Sequence, residues 1–223
     1  MINEIELGNG RITVNAFDFE GSAKEAIDNA EKFNLETENP GYHDYDINDE
    51  ITRGYFSFIE PYETENIVDG ITVSEAKKRI KTAEFAISNG FLFAWGASSA
   101  VKLLGSFINN DFATANRISF EFEDLHNLQS RFELCKSVKV KNPKENPVKT
   151  VSMAGKLDTY SEYNCLDARN HELKSVSGVL NMPIGKANVT ANDKGVIKVA
   201  MKGATVLPVD ALVWLIKLIH NAE

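Results

Sequence analysis

Apolar and polar positions alternate in some stretches of the chain and recur at helical spacing in others. Ile5 and Leu7 lead into Gly8-Asn9-Gly10, and Ile12 and Val14 then alternate with polar neighbours, which predicts a hairpin at the start. Ser22 and Glu25 read as a capping box for a helix on Ala23, Ala26, Ile27, Ala30 and Phe33. Residues 35–50 read as a polar, acidic loop, and Tyr55 to Ile59 as a strand. Thr72 and Glu75 match a second capping box, for a helix on Val73, Ala76 and Ile80. Phe85 to Ser88, the Asn89-Gly90 turn and Phe91 to Trp95 predict another hairpin. It runs through Gly96 into a helix capped by Ser98 or Ser99 and buried along Val101, Leu104 and Ile108.

Ile118, Phe120 and Phe122 alternate with Ser119 and Glu121, the pattern of a half-buried strand. A short helix on Leu125, Leu128 and Phe132 and a strand on Val138 and Val140 follow. The stretch from Lys141 to Pro147, with two prolines, is the best linker. Beyond it the pattern is strand after strand: Val151 to Leu157, Leu173 to Leu180, Ala187 to Thr190 and Val196 to Met201. Lys198 there points away from Ile197 and Val199, and an Asn192 to Gly195 turn supports a hairpin. Pro208 opens a closing helix whose apolar face is Val209, Leu212, Leu215, Ile216 and Ile219.

Asn-Gly hairpins force antiparallel neighbours, so the expected class is α+β: a mixed, mostly antiparallel sheet with helices packed on it, and a strand-rich C-terminal region ending in an amphipathic helix. The expected division is an α+β region over 1–143 and a β-rich region with its helix over 148–223, or one continuous domain joining the two.

Charge changes this picture more than composition does. Residues 1–75 hold 18 acids and 4 bases, whereas residues 76–223 hold 14 acids and 20 bases. A basic surface is thus hidden behind a net charge of −8. The candidates for it are Lys77, Lys78, Arg79 and Lys81, where Lys77 and Lys81 would share a helix face. A second set is Lys136, Lys139, Lys141, Lys144 and Lys149, where Lys139 and Lys141 would share a strand face. Such clusters bind phosphate backbones, although the aromatic residues fall on core-like positions that leave little for base stacking.

Other chemistry is sparser. Asp44, Asp46, Asp49 and Glu50 begin like a calcium loop, but Asp49 stands where the loop needs glycine and Tyr55 where it needs a bidentate acid; a solvated loop is the plainer reading. Gly96, Ser98, Ser99 and Lys102 at a helix start could hold an anion, without the spacing of a phosphate-binding motif. His43, His126, His171 and His220 lie at no zinc-ligand spacing. Cys135 and Cys165 read as reduced thiols, with a disulfide or a nucleophile as lesser alternatives. Leu212, Trp214, Leu215 and Ile219 could contribute to a dimer seam.

No cofactor is expected, nor a membrane partner, since no apolar run approaches the length of a span. No export signal is read, so the expected location is cytoplasmic. The sequence favours a binding protein that contacts nucleic acid through 77–81 and 136–149. A self-associating or protein-binding assembly module is the second reading, and an enzyme with an unrecognised site the third.

Overall fold

A computed structural model describes residues 3–68, 71–141, 150–155 and 172–221. In chain order the elements are β1 (Glu4–Glu6), β2 (Arg11–Gly21), α1 (Ala23–Asp28), β3 (Gly41–Ile47), β4 (Thr52–Val68), β5 (Ile71–Ser88), β6 (Phe91–Gly96) and α2 (Ser98–Phe107). Then come β7 (Ala113–Arg117), α3 (Phe122–Arg131), β8 (Leu134–Lys141), β9 (Thr150–Ala154), β10 (Glu172–Met182), β11 (Gly185–Asn192), β12 (Val196–Ala200), β13 (Val206–Pro208) and α4 (Val209–Ile219). The class is α+β, weighted strongly toward antiparallel sheet. The linker candidate beyond Lys141, together with Lys144, Lys149, Cys165 and His171, lies outside the described residues.

The chain forms two compact units, one of residues 1–18 with 117–223 and the other of residues 19–116. The division expected at 143–148 thus falls inside the first unit. The reason is a pairing no local pattern reveals: Arg11 to Asn15 of β2 bind Val196 to Ala200 of β12, which ties the start of the chain to its end.

In the first unit the strands run in the order β2, β12, β11, β10, β8, β9, and β1 pairs separately with β13. One face of this sheet is apolar, with Val14, Ile197, Ala191, Val176 and Val138 in successive strands, all buried. Helices α3 and α4 supply the matching cover: Leu125 and Leu128 from one, and Leu212, Leu215, Ile216 and Ile219 from the other, each fully buried. The greasy final helix is therefore core. Leu212, Leu215 and Ile219 have no surface left for a dimer seam, and only Trp214 is half-exposed.

The second unit orders its strands β3, β4, β5, β6. Its core is aromatic: Tyr42 meets Phe56, Phe85 and Phe107 edge-on at 5.5–5.8 Å. Helix α2 adds Leu104 and, just past its end, Ile108.

Several local expectations give way here. Residues 72–81 form no helix but the first half of β5, paired without a break to β4 from Val68↔Ile71 to Thr52↔Ile87. A spacing of four is even, so Lys77 and Lys81 share a face in a strand as well as in a helix, and β-branched Thr72, Val73 and Ile80 suit the strand. The acidic loop contains β3, bulged between His43 and Asp46 where Asp44 takes φ 45°. The strand expected over Ile118–Phe122 does not form: β7 already ends at Arg117, and Phe122 begins α3, whose start is fixed by the Asp124 carboxylate accepting from Glu121 N–H at 2.9 Å. Helix α1 is capped by Ser22 as expected but stops at Asp28, where the Asn29 amide donates to Glu25 O at 2.8 Å. The N-cap of α2 is Ala97, with Ser98 as the first helical residue.

Candidate nucleic-acid interface

The face of the first sheet opposite its helices is built from the polar half of each alternating strand. One row across it reads Ala154, Ser137, Ser177, Thr190, Lys198, Thr13. A second reads Ser152, Lys139, Ser175, Asn192, and Arg11 and Asn15 flank Thr13 on β2. Arg117 reaches the same face, donating to Asn15 Oδ1 at 2.6 Å and to Lys194 O at 2.8 Å. Lys136 joins it by bonding the Asn188 side chain. Arg11, Arg117, Lys136, Lys139 and Lys198 are all exposed, and none has a carboxylate partner among the described residues. Strand steps of about 4.8 Å put Lys198 and Lys139 roughly 16 Å apart on a surface otherwise of hydroxyls and amides. These two rows contain no aromatic and no acid.

Among the described residues acids stand at the margin, where Glu133 binds Lys186. Glu172 binds Lys141 and Lys174, and Asp193 also binds Lys174, at 2.8–3.0 Å. Hydrogen bonds from Lys174 and then Lys141 hold the Glu172 carboxyl below its ordinary range, and Asp193 with Glu172 raises Lys174 above its own. Lys141 is therefore occupied, whereas Lys139, which shares its face as the alternation predicts, is not.

The other basic set is neutralised within the second unit. Lys77 pairs with Glu75, Lys78 with Glu38, and Arg79 and Lys81 with Glu60. Arg79 also lies over the Tyr62 ring, 4.9 Å from its centroid. The pairing lowers the Glu60 pKa, chiefly through the Arg79 hydrogen bond, with Lys81 and the Ser99 side chain adding to it. Gly96, Ser98, Ser99 and Lys102, expected to hold an anion, stand at the end of β6 and in the first turns of α2, with Lys102 exposed. Gly96 has a backbone reason to be glycine: at φ 112° a Cβ would sit 2.7 Å from Thr82 O.

The four acids considered as metal ligands do not converge. Asp44 binds His43 Nδ1 at 2.9 Å, Asp46 stands exposed on β3, and Asp49 and Glu50 border a cleft with Ser22 and Lys24. Among the described residues no three His, Cys, Asp or Glu side chains could hold an ion together. Cys135 is buried, which pushes its thiol pKa up and disfavours the reactive thiolate.

One constellation escaped the sequence reading. Asp44, His43 and Ser57 are linked in series, Nε2 of His43 lying 2.9 Å from Ser57 Oγ, in the order of a nucleophile relay. Ser57, however, is 1% exposed and its hydroxyl also meets Thr82 Oγ1 at 2.7 Å, so it has neither access nor freedom to attack a substrate. Nothing in the spacing of residues 43 and 57 announces this contact. It ties β3, β4 and β5 together.

No known family model matches the chain, and no curated protein is similar to it in sequence. No helix among the described residues is long and apolar enough to cross a membrane.

Proposed function

We propose that this chain is a non-enzymatic binding protein that holds nucleic acid by its phosphates, on the open face of the first unit's sheet. The observation that carries this reading is the set of five exposed cations, Arg11, Arg117, Lys136, Lys139 and Lys198, on a face whose central rows lack any carboxylate. Serine, threonine and asparagine between them add neutral donors to phosphate oxygens. With no aromatic in these rows of described residues, the contact is expected to be sequence-independent and to depend on released counterions. The basic segment 77–81 contributes little, because each of its cations already has a carboxylate.

The test is anisotropy of labelled single- and double-stranded oligonucleotides over a salt series. Five phosphate contacts give a slope of log K on log salt of about −3.5 for single strands and about −4.5 for duplex. Arg11→Ala, Lys139→Ala and Lys198→Ala combined should cut affinity about 100-fold and flatten the slope by about 2 to 3. Alanine at Lys77, Lys78, Arg79 and Lys81 should leave affinity within about threefold. Absence of binding at low salt, or loss through the second set alone, refutes the proposal.

A further inference from the structure

Strands β4 and β5 continue well past their neighbours. Among the described residues β3 pairs with β4 only as far as Ser57, and β6 with β5 only from Ala83. Beyond these points, among the described residues, Phe58–Val68 and Ile71–Lys81 pair in register only with each other, as a two-stranded arm with two bare edges. Two strands alone are marginal in water, and bare edges recruit further strands. The arm also exposes Ile67, Val73 and Ile80, at 78%, 46% and 51%.

The two edges differ. Ala97 N–H donates to Thr82 O from the β6 side, so the backbone groups of Thr82 point away from β4. By alternation, the N–H and C=O of Ile80, Lys78, Ala76, Ser74 and Thr72 point outward too. Pro61 faces Lys78, which places it at an outward position of β4. There its missing N–H blunts the β4 edge without harming the ladder. The β5 edge carries no such block.

Charge is segregated along the arm. The half near the sheet, residues 58–62 and 77–82, carries four bases and one acid; the far half, 63–67 and 72–76, carries three acids and no base. Turned end for end, the arm complements itself.

We infer that two copies of this chain join by antiparallel pairing of their β5 edges, forming a four-stranded sheet across a two-fold axis at Ala76. This register sets Glu75 of each copy opposite Lys77 of the other, Ser74 opposite Lys78 and Thr72 opposite Ile80. Opposed residues share a face, as a two-fold axis normal to the sheet requires. Shifting the axis to Lys77 would instead set Lys77 against itself. The contact involves residues of the second unit alone.

Light scattering after size exclusion, over protein concentrations from about 5 to 200 µM, reads the outcome. The wild-type chain should reach twice the chain mass. Ala76→Pro removes an outward donor and should weaken the dimer at least about tenfold, with an unchanged melting temperature for the monomer. Glu75→Lys should do the same, and adding Lys77→Glu to it should restore the dimer. If Ala76→Pro does not fold, cross-linking decides. Ala76→Cys pairs lie about 5.5 Å apart between Cα atoms and should oxidise to a covalent dimer, whereas Glu65→Cys on the blunted edge should not. A single chain mass at every concentration overturns the inference, as does a dimer indifferent to Ala76→Pro, or equal cross-linking from both cysteines.

Discussion

The two units treat their cations in opposite ways. In the first, five cations stand on a polar face with no acid in its central rows, while the acids described at its margin pair with Lys174 and Lys186. In the second, every base of the segment 77–81 is matched by a carboxylate, and the net charge is strongly negative, with 17 acids against 8 bases over residues 19–116. A count along the sequence selects the second set, because it is contiguous. Strand register selects the first, because it gathers Arg11, Lys139 and Lys198 from three distant segments. Contiguity of charge is thus a poor guide to availability when the surface is a sheet.

The units also differ in cover, and this difference bears the largest expected effect. Leu215 is fully buried on the inner face of α4, whereas Ile67 on the arm is 78% exposed. Leu215→Ala should cost about 3 kcal/mol by transfer and cavity formation, and Ile67→Ala less than about 0.5 kcal/mol. The two tryptophans separate the readouts, since Trp214 lies in the first unit and Trp95 in the second. Denaturant melts followed by fluorescence, each with the other tryptophan replaced by Phe, check both. Equal losses would mean that the apolar face of α4 is not the core it is described as.

Removing partners sharpens the charge comparison. Glu84 accepts from Arg53 Nε at 2.9 Å and from Trp95 Nε1 at 3.0 Å, and the Arg53 and Glu84 side chains are 20% and 18% exposed. Glu84→Ala strands two donors in a half-buried site and should destabilise the second unit by about 1 to 3 kcal/mol. Lys198→Ala on the open face should change stability by less than about 0.5 kcal/mol while weakening polyanion binding. A stability loss at Lys198 would place that residue among the structural cations.

Tyr42 offers a smaller effect of opposite sign. It is fully buried among phenylalanine rings, its hydroxyl has no hydrogen-bond partner among the described residues, and burial pushes its pKa well above the ordinary tyrosine value. Tyr42→Phe removes the stranded oxygen and keeps the ring, so it should stabilise the second unit by about 1 kcal/mol. A loss of stability on the same melt would reveal a partner for the hydroxyl.

What was legible beforehand follows the same division between local and distant causes. The Asn89-Gly90 and Asn192 to Gly195 turns, helix α2 and helix α4 carry their signals within a few residues, and each is found close to its expected place. The outward aim of Lys139 and Lys198 is also readable from alternation. By contrast, β5 was masked by a four-residue spacing that satisfies both periods, and by a Thr72/Glu75 pair that imitates a helix cap. Strand β3 was masked by exposed Asp44 and Asp46 on either side of half-buried Tyr45. The partners that decide which cations are available (Glu60 for Arg79, Glu38 for Lys78) lie 19 and 40 residues away. A pattern read over one helix turn or one strand contains only one member of either pair.

The smallest expected effect is in pH, and it compares the carboxylates that anchor the two units. Glu172 in the first and Glu60 in the second both have pKa values lowered from 4.5, by lysine and by arginine hydrogen bonds respectively. A lowered carboxylate contributes stability that is present above its unfolded value and lost as pH falls through its folded one. Lys174, raised from 10.5, contributes stability present below that value and lost as pH rises through its folded one. These groups leave both units indifferent to pH between about 5 and 10, with an acid limb in each; Lys174 gives the first unit an alkaline limb, and the raised Tyr42 and Lys24 give the second unit one of its own. Glu172 is exposed and Glu60 and Lys174 are only half-buried, so solvent screens these pairs and their limbs should be shallow. Glu172→Gln should flatten the acid limb seen by Trp214 and leave that of Trp95 unchanged, and Glu60→Gln should do the reverse. Either substitution moving both reporters would mean that the two units melt as one, and the contrast between them would then lie in their surfaces alone.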